Sequence, residues 1–237
     1  ILQYNYQDRL IINMGYSYHY NSIGGAIINN TIASNSYSIR FNFESAGNIM
    51  YALSKATNIR KNNDGEYAIL GIPYAQYVKG EFDFSKNIRI DHRNSFAFHI
   101  GMGIAVPYGN AKTIPFEKQY FSGGANSVRG WTVRDLGPGS FVRDENTNLL
   151  DQSGDIKLDA SIEYRSKLFW KFQGAIFVDA GNIWTIRDYD NQPGGVFKFD
   201  KFYKQIAVAY GLGLRLDLDF FILRFDGGMK ALNPVYE

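Results

Sequence analysis

Between residues 10 and 21 the chain changes chemistry at every step. Leu10, Ile12, Met14, Tyr16, Tyr18 and Tyr20 alternate with Ile11, Asn13, Gly15, Ser17, His19 and Asn21. Successive side chains of an extended strand point to opposite faces, so this stretch has one apolar face and one nearly all polar. The pattern returns seven more times, at roughly 36–45, 74–85, 96–108, 155–165, 172–184, 206–217 and 220–230. Every Asp, Glu, Lys and Arg in these segments falls on the face opposite the apolar one. The segments are about 10–13 residues long, whereas strands of soluble proteins run to about 5–6. A strand crossing a bilayer at a tilt needs about 9–11.

Composition narrows the class. The chain of 237 residues has 17 Tyr, 18 Phe and 3 Trp, all strand formers, together with 24 Gly. It has no Cys, which removes disulfide scaffolds and thiolate sites. Net charge is +2, without the basic excess of a nucleic-acid binder. Residues 10–39 lack Asp, Glu and Lys, and Asn13, Asn21, Asn29 and Asn30 make them too polar for a helical span.

A soluble β-sandwich also has apolar strand faces, but it packs them against each other. Three features favour a membrane barrel. One is strand length. The second is aromatic residues near strand ends, at Tyr16, Tyr18, Tyr20, Tyr108 and Trp184, as in interfacial girdles. The third is the small opposite face at Ala97, Gly101, Gly103, Ala105, Ala207, Ala209, Gly211 and Gly213, which leaves room inside. Connection lengths alternate long and short: 46–73, 86–95, 109–154, 166–171, 185–205, 218–219. Outer-membrane barrels have long external loops and short periplasmic turns, which places 109–154 outside the cell. The expected fold is all-β, an antiparallel up-and-down transmembrane β-barrel with about eight strands plus a stub at 1–8 (Leu2, Tyr4, Tyr6). The last strand ends near Lys230 on the outer side, and Ile1 opens in a strand-like pattern without a start Met. The chain therefore reads as a piece of a longer protein lacking at least one C-terminal strand.

The long loop carries F-S-G-G-A-N-S-V-R-G-W from Phe121 to Trp131 and L-G-P-G-S-F from Leu136 to Phe141. Gly123, Gly124 and Gly130 permit tight or left-handed backbone, and Val128-Arg129-Gly130-Trp131 sets a cation between an apolar residue and a large ring. The stretch resembles the arginine-glycine-aromatic signature of the BamA/TamA-type outer-membrane assembly family, the bacterial surface antigen domain, and its continuation looks like members from Bacteroidetes-type bacteria. Phe177-Val178-Asp179-Ala180-Gly181 is similar to that family's F-x-D-x-G strand motif, and S-I-E-Y-R at 161–165 to its preceding strand, with Glu163 inward. The resemblance implies the C-terminal half of a sixteen-strand barrel over residues 1–237, with 109–154 folded back into the lumen. It implies that Arg129 meets Asp179, Glu163 or both, with Phe177 and Gly181 bracing the loop. Alternation independently turns both carboxylates inward. A turn centred near 168 leaves them about five residues, or roughly 16 Å, out of register, which favours Asp179 as the first partner.

Other chemistry is weaker. A lipase-like site needs an outward Ser–His pair, but Ser17 and His19 share the inward face, as does His99; His92 lies near a turn. Asp188 and Asp190 do not complete a calcium spacing. Gly211 and Gly213 lie within a strand rather than a nucleotide loop. Asp155, Lys157, Asp159, Glu163 and Arg165 read as a solvated inner wall. No catalytic residue, metal site or cofactor is expected, and the chain is read as a non-enzyme of the bacterial cell outer membrane. The resemblance implies a factor that folds and inserts β-barrel proteins into that membrane. Its partners would be the lipid bilayer, unfolded outer-membrane protein clients and accessory assembly lipoproteins, with no nucleic acid. The alternatives are a two-partner-type polypeptide secretion transporter and a passive porin.

Overall fold

Period-two stretches become long paired strands in the computed structural model, which describes residues 8–22, 35–142, 152–218 and 220–236. The elements are β1 (Asn13–Asn21), β2 (Ser36–Ala46), helix α1 (Asn48–Ala56), a small hairpin of β3 (Ala68–Ile69) and β4 (Ile72–Pro73), β5 (Tyr77–Arg89), β6 (Asn94–Pro107), β7 (Ile156–Lys167), β8 (Phe172–Trp184), β9 (Ala207–Asp217) and β10 (Ile222–Leu232). The long strands form one antiparallel sheet in the order β1-β2-β5-β6-β7-β8-β9-β10, each paired with its neighbour in sequence. The sheet is open, with β1 and β10 as its edges. All eight expected strands are present. The stub lies outside the described residues apart from Asp8, as do residues 143–151 of the long loop.

The sheet is inside out by the standards of a soluble protein. Its apolar rows are exposed: Met14 at 70%, Leu212 at 67% and Phe225 at 65%. Its charged and small rows are covered in the middle of the sheet, where Asp179, Ala207 and Ala209 are at 0%, and open toward the edge strands. No second sheet packs on the apolar face among the described residues, so the sandwich alternative fails. An exposed apolar surface of this extent is stable in hydrocarbon rather than water. Among the described residues no helix is long and apolar enough to cross a membrane.

The long connections 47–76, 108–155 and 185–206 share one end of the sheet, and the tight turns 90–93, 168–171 and 218–221 the other. Three details differ from the sequence expectation. Helix α1 occupies the connection after β2 because Gly47 turns the chain at φ 76°, where a Cβ would lie 2.2 Å from the Ala75 carbonyl oxygen. Tyr74 leaves the ladder before β5 begins; it is buried, with its hydroxyl donating to Ser54 at 3.2 Å. Trp184 is no open girdle residue, since Phe197 and Phe202 cover it edge-on and its indole N–H donates to Gln205 Oε1 at 2.9 Å.

The 90–93 turn is organised by Asp91, whose carboxylate accepts the backbone N–H groups of Arg93 (2.7 Å) and Asn94 (2.9 Å) and the Asn94 amide (2.8 Å). These bonds, the Asn94 side chain foremost, hold its carboxyl at about 2. A depressed folded pKa contributes order that is complete above the unfolded value near 4 and is lost as pH falls through about 2. Amide exchange at Arg93 and Asn94 is therefore expected to accelerate across that window. Asp91→Asn should abolish the dependence; unchanged protection down to pH 2 would refute it.

Candidate functional site

The candidate site lies on the covered face of the sheet, beneath the tip of loop 108–155. The loop crosses the sheet as a narrow excursion, bridged at Tyr120–Gly154 and Ser122–Leu136. Its tip is closed by Gly124 N–H to the Trp131 carbonyl (2.8 Å) and Trp131 N–H to the Val128 carbonyl (3.2 Å). Gly123 sits at φ +95°, where a Cβ would be 2.1 Å from the Thr132 carbonyl oxygen, and Gly124 at φ +87°. These positions need glycine for turn geometry. Val128 and Trp131 are buried with Leu136, Ala207 and Ala209, so the apolar residues flanking Arg129 seat the tip on β9.

The small residues of the inner face are the seat itself. A Cβ on Gly228 would fall 2.4 Å from the Arg129 carbonyl oxygen, and one on Gly130 would fall 2.8 Å from the Ala209 Cβ. A Cβ on Gly211 would meet the Phe177 ring at 2.4 Å. Glycine on the strand thus lets loop backbone and an inward phenyl ring lie directly on the sheet.

Arg129 is held from every side. Its Nε and Nη2 donate to Asp179 Oδ2 and Oδ1 at 2.6 and 2.7 Å, a bidentate pair. Its backbone N–H adds a third bond to Asp179 Oδ2 at 3.1 Å. Nη1 donates to Glu163 Oε2 at 2.7 Å and to Asp226 Oδ2 at 3.3 Å, and Nη2 to Ser161 Oγ at 3.2 Å. Ser161 in turn donates to Asp179 Oδ1 at 2.7 Å. The guanidinium carbon lies 3.4 Å from the Phe177 ring centroid, a cation–π contact worth about 2 kcal/mol where water is excluded. The side chains of Arg129, Glu163, Asp179 and Asp226 are all under a tenth exposed. Glu163 also takes Arg165 Nε at 2.6 Å and Arg215, and Asp226 takes Arg224 Nε at 2.5 Å.

Both expected carboxylates meet the arginine. The 168-centred register is corrected: β7 and β8 pair Ser161 with Asp179 and Glu163 with Phe177. The turn closes around Leu168–Phe172, with Trp170 at φ 49°. Two residues rather than five separate the carboxylates along the strands, within the span of one guanidinium. Gly181 stands apart from the loop; a Cβ there would be 2.6 Å from the Leu158 carbonyl oxygen, so it lets β7 and β8 approach. The solvated-wall reading holds only for part of the row: Asp155, Asp159 and Glu163 are buried, whereas Lys157 and Arg165 keep their side chains partly exposed. Asp226 was missed, although F-D-G-G at 225–228 puts a carboxylate inward beside the glycine that receives the loop. His99 stands 3.4 Å from both Asp83 and Asp159, and the Ser17 hydroxyl donates to Asn42.

A wall of long antiparallel strands, apolar outside and plugged inside by an ion-paired loop, defines a transmembrane β-barrel half with an occupied interior. The Omp85 superfamily domain matches residues 29–234. The chain belongs to the Omp85 superfamily, a family of outer-membrane proteins. It is 35% identical over 99 residues, 38% of its length, to the outer membrane protein assembly factor BamA of Neisseria meningitidis serogroup B, covering 12% of that protein. The crystal structure of BamA from Haemophilus ducreyi lacking POTRA domains 1–3 matches with a TM-score of 0.51 at 17% identity, over 92% of this chain and 51% of that one. CdiB from Acinetobacter baumannii aligns with a TM-score of 0.35 at 13% identity, over 94% of this chain and 40% of CdiB. The chain thus spans about half the length of the BamA structure it matches.

Proposed function

We propose that this chain is the C-terminal part of the barrel of an assembly factor that folds and inserts other β-barrel proteins into the outer membrane. The clamp on Arg129 carries this reading. A loop tied to three carboxylates fills the face that a passive pore keeps open to water. The stretch 35% identical to BamA supports the same assignment. On this reading the long connections face the cell exterior, unfolded outer-membrane proteins are the clients, and accessory lipoproteins assist from the periplasm. The work is strand pairing and insertion, which needs neither a cofactor nor covalent chemistry; exposed strand edges pair readily with incoming chains.

The test is reconstitution of the full-length protein in liposomes with a urea-unfolded barrel client. Faster appearance of folded client, read from heat-modifiable gel migration, is the expected result. A large steady single-channel conductance with no acceleration of client folding would overturn the proposal in favour of a porin. Passage of a cognate secreted polypeptide without barrel assembly would favour a secretion transporter.

A further inference from the structure

We propose that the outer surface near the long-connection end holds a specific site for an acylated, phosphate-bearing membrane lipid. The site rests on the outer-membrane location of the family and is independent of the assembly reading.

The apolar side of the sheet has a dent, and its origin is legible in the register. Phe43, Gly80, Ile104, Ile156 and Trp184 form one row across five strands, each residue opposite the next. Gly80 contributes no side chain to this row, and a Cβ added there would meet nothing within 4 Å. The next row, Phe41, Phe82, Met102 and Leu158, keeps its side chains. At the far end Phe197 and Phe202, stacked on each other, meet Trp184 edge-on and form a wall. Between these lies a groove of about 370 Å³, its lining almost wholly apolar. Its shape suits an acyl chain lying along the sheet.

The wall is the start of a segment reading F-K-F-D-K-F-Y-K from Phe197 to Lys204. Lys198, Lys201 and Lys204 recur every third residue. Turns hold that spacing: Lys201 N–H donates to the Lys198 carbonyl at 3.0 Å, and Lys204 N–H to the Lys201 carbonyl at 3.0 Å. These turns set the three lysines close together along the segment, and all three are exposed. Among the described residues none of the three lysines has an ion-pair partner, and Asp200 is the segment's one carboxylate. Phe199 and Tyr203 are exposed at 85% and 60%, the composition of a segment resting at a membrane–water boundary. An apolar groove for a chain and, one residue from its walls, a cationic stripe for phosphate together select a phosphorylated lipid over a neutral one.

The experiment uses the full-length protein in detergent, with diphosphorylated hexa-acyl lipid A and its dephosphorylated form as probes, and native mass spectrometry as readout. One tightly retained lipid is expected, with the phosphorylated form preferred by roughly tenfold or more, given the pull of several lysines near an anionic surface. The triple substitution Lys198→Gln, Lys201→Gln, Lys204→Gln should erase that preference. Gly80→Leu should fill the groove and weaken retention of both forms several-fold. In the unmodified protein a diazirine-tailed lipid should crosslink to the peptides bearing Phe82 and Met102, which keeps the test independent of variant folding. Equal retention of both lipid forms, or crosslinks spread evenly around the barrel, would overturn the site.

Discussion

Arg129→Ala in the full-length protein is expected to cost roughly 3–5 kcal/mol, because it strands the buried Asp179 carboxylate without a cation rather than merely deleting a contact. Asp179 loses both charge-assisted bonds from the guanidinium, and Glu163 and Asp226 each lose one. With Asp179 fully buried, water does not replace these bonds unless the loop lifts. The folded band in heat-modifiable gels should convert to the unfolded one at markedly lower temperature, and client assembly should fall with it. Arg129→Lys is expected to restore little, since a point charge cannot span Asp179 bidentately and Glu163 together. Among the partners, Asp179→Asn should harm more than Asp226→Asn, following bidentate bonds of 2.6 and 2.7 Å against a single 3.3 Å contact. Unchanged gel migration for Arg129→Ala, or an inverted order for the two aspartates, would show that the clamp does not hold the loop.

Gly228→Ala should dislodge the same loop without touching a charge. The added methyl would lie 2.4 Å from the Arg129 carbonyl oxygen and 3.1 Å from the Gly130 nitrogen, both backbone atoms. The tip must therefore move away, at a cost of about 1–3 kcal/mol typical of overpacking. Greater protease sensitivity within 121–136 and a raised conductance are the expected readouts. Gly227→Ala is the matched control: its Cβ meets nothing within 4 Å, and its effect should stay within about 0.5 kcal/mol. Equal behaviour of the two variants would mean that the loop does not rest on β10.

These predictions concern one contact surface, yet its parts were unequally visible in the sequence. Local chemistry sufficed for the faces: the alternation in 96–107 or 207–217 states which side meets lipid whatever the strand pairs with, because side-chain direction repeats every two residues. It sufficed for Gly123 and Gly124 as turn positions. Pairing Arg129 with Asp179 and Glu163 came from motif resemblance together with that alternation.

The rest depended on distances across the sheet. Whether one guanidinium reaches two carboxylates turned on a shift of the β7–β8 turn by about two residues, and turn position is set by backbone hydrogen bonding around Leu168–Phe172 rather than by periodicity. Asp226 lies 97 residues from Arg129 in the chain, and only the order β7-β8-β9-β10 and the placement of the loop across it bring them together. Trp184 illustrates the converse. Its alternation correctly points it outward, but aromatic residues of the following connection cover it, which no strand-local pattern records. The sequence by itself determined a sheet with a lipid side and a loop side, since that depends on each residue and its nearest neighbours. The tertiary structure alone decided which charges meet, because the energy of a buried ion pair depends on ångströms between segments that the chain order leaves far apart.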